Sequence, residues 1–349
     1  MEPESTEPQY NTYLLGHADA EQLFLRCWQN KSLHNSWLIS GIKGIGKATL
    51  AFRLARFILS ADEANRQKYT SLDVSPDSSA YKLIANNAHP DFKVLQRDYT
   101  DTDRKKILKA IKDGDRLSPE ELKELKKSAF IRVDDVRTVN EFLSRRSSGD
   151  GWRVVLIDSV DDMNSAAANA VLKILEEPPY KTLMLLISHN PNKLLPTIRS
   201  RCSKLELKPL QDAEVASLLR RYRPNLPEAQ VKKITAIASG SIGKAINYAD
   251  NDAAGRYDDL CALLSAGSHF KTADVLDFCA EAVASEESFD LTEELILKFL
   301  SEKAKHTDKV TETADCWSAA IKIFAETDSL NLDKKQALIN IIVNICKKI

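Results

Sequence analysis

The stretch LISGIKGIGKATLAFRLARFIL, residues 38–59, constrains the fold more than any other part of the chain. A short apolar run (SWLIS, 36–40) fits a buried strand. Gly41, Gly44, Gly46 and Lys47 follow, and then a helical pattern from Ala48 to Leu59 with Leu50, Leu54 and Ile58 on one face. Strand, glycine loop and helix in that order make a phosphate cradle. Glycines let backbone N–H groups turn inward, lysine reaches the outer phosphates, and the helix N-terminus attracts the anion. The pattern G-x-x-x-x-G-K-[ST], however, ends here in Ala48. A Ser or Thr hydroxyl at that place holds Mg²⁺, which bridges the β and γ phosphates. Alanine cannot do this, and Thr49, one residue later, points about 100° away on a helix.

An acid at the end of a central strand is the second part of such a site. WRVVLID (152–158) is the strongest strand pattern in the chain, a continuous apolar run ending in Asp158. Where a hydrolysing site places a further carboxylate, the next residue is Ser159. Asp161 and Asp162 lie further into the loop, and the simplest reading of them is solvation and compatibility with a following helix N-terminus. Gly41, Gly44, Gly46, Lys47, Ala48, Thr49 and Asp158 therefore read as a degenerate nucleotide site, able to hold ATP or ADP without efficient hydrolysis.

The rest of the chain supplies the partners this unit needs. Residues 89–95 (HPDFKVL), 182–188 (TLMLLIS) and 203–210 (SKLELKPL) read as further strands. Residues 131–146 read as a strand end and a helix, and 147–151 as a turn. NSAAANAVLKILEE (164–177) is a helix with Asn164 as cap and Pro178-Pro179 as stop. Residues 1–12 read as a loose tail and 60–88 as irregular. The charged stretch 98–129 contains a capping box, Ser118 with Glu121, and Pro119 between them at the first helical position. Its acids and bases interleave, which suits a solvated surface helix better than a nucleic-acid patch. From 211 onward only helical patterning appears. The expected class is an α/β P-loop NTPase-like core with a parallel sheet, followed by helical domains.

Composition narrows the setting. With 49 Lys and Arg against 50 Asp and Glu the formal net charge is −1, so the chain is not a globally basic nucleic-acid binder. The six cysteines are scattered, with neither C-x-x-C pairs nor zinc spacing. Together with an acidic, polar N-terminus and no run long enough to span a membrane, this predicts a soluble cytoplasmic protein with reduced thiols. Cys202 has no His nearby in sequence and reads as a structural thiol. His89, before Pro90-Asp91, reads as a hydrogen-bonded structural histidine.

HNSWLISGIKGIGKATLA, HPDF, VVLIDSVDDMNSAAANAVLKILEEPP, TIRSRCSKLELKPL and GSIGKAI occur in this order. Together they resemble the delta-prime family of the bacterial DNA polymerase III clamp loader, within the AAA+ proteins, over residues 15–250. The resemblance implies an AAA+ core over 1–207, a helical lid over 208–252 and a helical collar for oligomerisation over 253–349. It implies a stator in the loader, which places the sliding clamp on primed DNA during replication. Ser200-Arg201-Cys202 matches the family's S-R-C motif, so Arg201 would be an arginine finger acting on the ATP of a neighbouring subunit. A guanidinium suits this task because it is always charged and presents a fork of donors. Arg199 would assist or pair locally. The lid position of a sensing arginine is Gly243, with Lys244 next to it. The implied partners are the motor and delta subunits, primer–template DNA through the assembly, and the clamp indirectly. The family's zinc module is not expected, because residues 60–130 contain no cysteine. Two other readings stay open: an ATP-hydrolysing motor subunit of the same loader, and an AAA+ scaffold in DNA repair.

Overall fold

A computed structural model describes residues 5–113, 118, 121, 125–145, 147 and 151–348. The chain divides into two compact units, Met1–Glu214 and Val215–Ile349.

The first unit is built on five strands: β1 (Ser36–Ser40), β2 (Phe92–Leu95), β3 (Arg153–Asp158), β4 (Thr182–Ser188) and β5 (Ser203–Glu206). They form one sheet in the order β2-β3-β4-β1-β5, with every pairing parallel. Parallel neighbours need crossovers, and helices supply them. These are α2 (Lys47–Ser60), α3 (Ser79–Ala85), α4 (Asp101–Asp113), α5 (Val133–Ser144), α6 (Ser165–Glu176) and α7 (Pro196–Arg201), while α1 (Ala18–Gln29) precedes β1. Both faces of the sheet are covered, which explains why β1 and β4 are buried at every residue. Alternate side chains feed two cores. Trp37, Ile39, Leu183, Leu185 and Ile187 join Phe24, Trp28, Leu50, Leu54 and Phe57 from α1 and α2. Leu38, Val155, Ile157, Met184 and Leu186 join Val136, Val139, Val171 and Ile174 from α5 and α6.

The register decides where chemistry can sit. Ser40 is opposite Ser188, and Asp158 is opposite Ile187, so the C-terminal ends of β1, β3 and β4 share one edge. Among these central strands, β1 continues in sequence to β2 at the far end of the sheet. A crevice at the carboxyl edge beside such a switch is where open α/β sheets bind ligands.

The second unit contains α8 from Val215 onward (the helix spans Asp212–Tyr222), then α9 (Glu228–Ala238), α10 (Ile242–Asp250), α11 (Ala253–Ser265), α12 (Thr272–Ala282), α13 (Glu286–Lys303), α14 (Val310–Leu330) and α15 (Lys334–Lys348). Its core includes an edge-on Phe289–Phe324 pair at 6.0 Å, with Leu295, Leu300, Leu338, Ile341 and Ile345 buried. No helix among the described residues is long and apolar enough to cross a membrane. An α/β core followed by helices is the class expected from the sequence.

Three local expectations change. Residues 8–12 are not a loose tail. The buried Arg56 guanidinium donates to the Asn11 carbonyl (3.0 Å) and to those of Pro8 and Gln9, and Arg53 donates to the Thr12 carbonyl at 2.6 Å. The irregular stretch 60–88 contains α3, capped by the Ser78 hydroxyl, which accepts from the Tyr81 N–H at 3.2 Å. The charged stretch contains α4 before its capping box. The box itself forms: the Glu121 carboxylate accepts from the Ser118 N–H (2.7 Å), and the Ser118 hydroxyl accepts from the Glu121 N–H (3.2 Å). Pro119 and most of the helix expected after it lie outside the described residues, as does most of the 147–151 turn.

Candidate functional site

The glycine loop leaves β1 at the carboxyl edge and enters α2. Gly41, Gly44 and Gly46 all have positive φ, at 146°, 81° and 102°. A side chain would clash with backbone at Gly41 and be tight and strained at Gly46. A Cβ on Gly41 would lie 2.5 Å from the Leu207 carbonyl oxygen, and one on Gly46 would lie 3.0 Å from Leu14. The residues before α1 therefore pack on the loop. His17, buried, joins them: its Nε2 donates to the Ile45 carbonyl at 2.7 Å, which fixes the tautomer. Sequence reasoning missed His17, since a lone histidine 28 residues away carries no signal.

Lys47 is 3% exposed, and its ammonium folds back onto the loop, donating to the carbonyls of Gly41 (2.7 Å) and Ile42 (2.6 Å). Burial pushes its pKa down to about 8, partly opposed by the charges of Asp158 and Asp161. Burial likewise raises the Asp158 carboxyl, against the pull of Lys47. The two groups expected at a phosphate site are thus brought within each other's field. Ala48 packs against the core behind β1, and Thr49 is buried on α2. The Ser159 hydroxyl is 2% exposed and has no hydrogen-bond partner among the described residues.

Asp161 is more than a solvated loop acid. Its carboxylate accepts from the Ser188 hydroxyl (3.0 Å) and from the N–H groups of His189 (2.6 Å) and Asn190 (3.1 Å). It ties the end of β3 to the end of β4, and so fixes the start of the segment that leads to α7. Asp161→Ala leaves these donors without their acceptor and is expected to cost about 1–3 kcal/mol in urea unfolding. A loss below about 0.5 kcal/mol would contradict this role. Asp162 pairs loosely with Arg97 at 3.5 Å. The His189 imidazole titrates below its ordinary range, through burial and then the Lys47 charge.

Arg201 ends α7 on the surface and contacts no loop residue through hydrogen bonds or ion pairs among those described. Its guanidinium donates to the Thr197 carbonyl (3.1 Å) and pairs with Glu176 (2.8 Å). Both side chains are open to solvent, 36% and 48% exposed. Beside it, Arg199 has a buried Nε without a hydrogen-bond partner among the described residues. Burial pushes the Cys202 thiol up to about 11, which leaves it unreactive. His89 accepts at Nδ1 from the Asp91 N–H (3.1 Å), a structural contact. In the second unit Gly243 lies in the first turn of α10, and Lys244 pairs with Glu294 at 3.1 Å. No group of three or more metal-ligating side chains occurs among the described residues.

Residues 16–211, which include the loop, Asp158 and Arg201, match the family model described as DNA polymerase III, delta subunit. The chain belongs to this family. Among curated members of the DNA polymerase III subunits, the subunit delta' of Pseudomonas aeruginosa is 35% identical over 209 residues, covering 59% of this chain and 53% of that protein. The subunit delta' of Escherichia coli is 28% identical over 232 residues, covering 66% and 59%. The subunit gamma of Buchnera aphidicola is 25% identical over 226 residues, covering 63% and 52%. The chain thus spans between half and two thirds of the length of these DNA polymerase III relatives.

Proposed function

We propose that the chain is the delta-prime subunit of a DNA polymerase III clamp loader, acting as a stator in the cytoplasm. It completes the ATP site of a neighbouring motor subunit with Arg201 while the sliding clamp is loaded onto primed DNA. One contrast carries this reading. Lys47 is buried and bonded to its own loop, beside Ala48 and Ser159, whereas Arg201 stands on the surface with an exposed ion pair and one bond to its own helix. An exposed ion pair is worth about 0–1 kcal/mol, so Arg201 adds little to the stability of its own domain. The division into a core over 1–207, a lid over 208–252 and a collar over 253–349 belongs to this proposal. Motor and delta subunits are its partners, and contact with DNA and clamp comes through the assembly.

The loop residues fit a bound nucleotide. Gly41, Gly44, Gly46 and Lys47 would hold its phosphates, with Thr49 and Asp158 behind them. A bound ATP or ADP would supply rigidity to the loop. With Ala48 and Ser159 in place, hydrolysis is not expected from this chain.

The loop makes a separate prediction. A phosphate prefers the Lys47 ammonium, which the free chain holds with a pKa of about 8. Below that value the charge is already present and affinity is flat. Above it, binding must bring a proton with it, and affinity falls by up to about tenfold per pH unit. Titration of the chain with a fluorescent ADP analogue from pH 7 to 9.5 checks this. Affinity independent of pH, or unchanged in Lys47→Ala, would remove the nucleotide from the loop.

A hydrolysing motor subunit is the second reading, and similarity to a gamma subunit favours it. Ala48, Ser159 and Gly243 oppose it. ATP turnover by the isolated chain, abolished in Lys47→Ala, would decide for it.

A further inference from the structure

We propose that Glu176 is a positioning residue for Arg201. This rests on the finger reading above. Glu176 is the last residue of α6, immediately before Glu177-Pro178-Pro179, and Arg201 is the last residue of α7. The two helix ends meet through the 2.8 Å ion pair. The opposite branch of the same guanidinium donates to the Thr197 carbonyl, one turn back on α7.

The consequence is geometric. An arginine side chain has four rotatable bonds, and an exposed one samples many rotamers. A guanidinium has five N–H donors in a rigid plane. Here one is taken by the Thr197 carbonyl of its own helix, and the Glu176 carboxylate at the end of the other helix lies 2.8 Å from the opposite branch as an ion pair. Together these two contacts favour one plane of the fork. The other donors, Nε–H among them, have no hydrogen-bond partner among the described residues. Arg201 is therefore biased toward one orientation before any phosphate arrives, with its remaining donors left for that phosphate. Pre-orientation of this kind lowers the barrier without adding a contact to the reacting atoms, and a displacement of about 1 Å costs up to about 10²-fold in rate. The half-exposed setting of Glu176 matters too. The pair is screened by solvent, so Glu176 orients the guanidinium while leaving most of its charge effective toward a neighbour.

The test uses the reconstituted loader and a double-mutant cycle. Glu176→Ala, Arg201→Ala and the double variant are compared with wild type for assembly by size exclusion and for kcat and KM of ATP turnover. The expected result is normal assembly, a loss of about tenfold in kcat with KM within about twofold for Glu176→Ala, and no further loss when Glu176→Ala is added to Arg201→Ala. Glu176→Gln, which keeps size and one acceptor oxygen, takes the place of the alanine variant if that variant fails to assemble, with a loss of about threefold expected. Unchanged or increased turnover in the Glu176 variant overturns the proposal while Arg201→Ala still shows its large loss. A loss that persists equally in the Arg201→Ala background marks a structural role and also overturns it. Full turnover in Arg201→Ala itself overturns the finger reading, and the positioning role with it.

Discussion

Replacing Arg201 with alanine is expected to leave folding and assembly intact and to lower ATP turnover by the reconstituted loader about 10³-fold at each affected site. That factor corresponds to about 4 kcal/mol of transition-state stabilisation. A single guanidinium supplies this much where, as proposed for Arg201, it meets charge on a transferring phosphoryl group inside a water-poor site. The fold should not notice the change. Arg201 contributes one exposed ion pair, with Glu176, and one bond to the Thr197 carbonyl at a helix end. Removing it costs the chain about 0–1 kcal/mol. The large functional loss and the small structural loss separate a residue that acts on a neighbour from one that supports its own domain. Thermal melting of the variant and size exclusion of the assembly check the second half, and steady-state turnover checks the first.

Trp37→Ala should have the largest effect on stability, about 3–5 kcal/mol, read as a lower urea midpoint with little change in slope. Trp37 is completely buried in β1, the strand flanked by β4 and β5, and it leads directly into the glycine loop. Its ring packs on Phe24 of α1 at 5.3 Å, and its Nε1 donates to the His34 carbonyl at 3.0 Å. Alanine removes the ring from between the sheet and α1 and leaves that carbonyl without its donor. The space cannot collapse easily, because β1 is fixed by ladders on both sides. The same change should weaken binding of the ADP analogue, since the loop loses the packed base on which it stands. A stability loss under about 1 kcal/mol would mean that β1 is not the centre of the core.

The parts of this molecule that read from sequence are those whose physics is local. WRVVLID and TLMLLIS are apolar without interruption because strands covered on both faces have no solvent side, so β3 and β4 were placed within a residue of their observed limits. Asn164 caps α6 as its residue type suggests, accepting from the Ala167 N–H at 2.8 Å. The loop was legible because its glycines occupy a backbone region that other residues avoid. What stayed hidden depends on distant backbone. The Arg56 guanidinium binds carbonyls 45 and more residues away, and carbonyls leave no mark in residue type. Asp161 looked like any loop acid, since its three donors sit on another strand's end. Helix α4 was missed for a different reason. Leu108 and Ile111 are 57% and 68% exposed, so its apolar residues do not mark a buried face. At the candidate site, sequence named Lys47, Asp158 and Arg201, but only structure separates them into a buried pair of groups and a lone surface cation with Glu176 beside it.

The central claim is that the chemistry served by this chain takes place in a neighbour's site and not at its own loop. The direct measurement is ATP turnover by the loader reconstituted in parallel with wild type, Lys47→Ala and Arg201→Ala. The account predicts turnover within about twofold of wild type for Lys47→Ala and a loss of about 10³-fold at the affected site for Arg201→Ala. The reverse pattern, with turnover lost in Lys47→Ala and retained in Arg201→Ala, would contradict it.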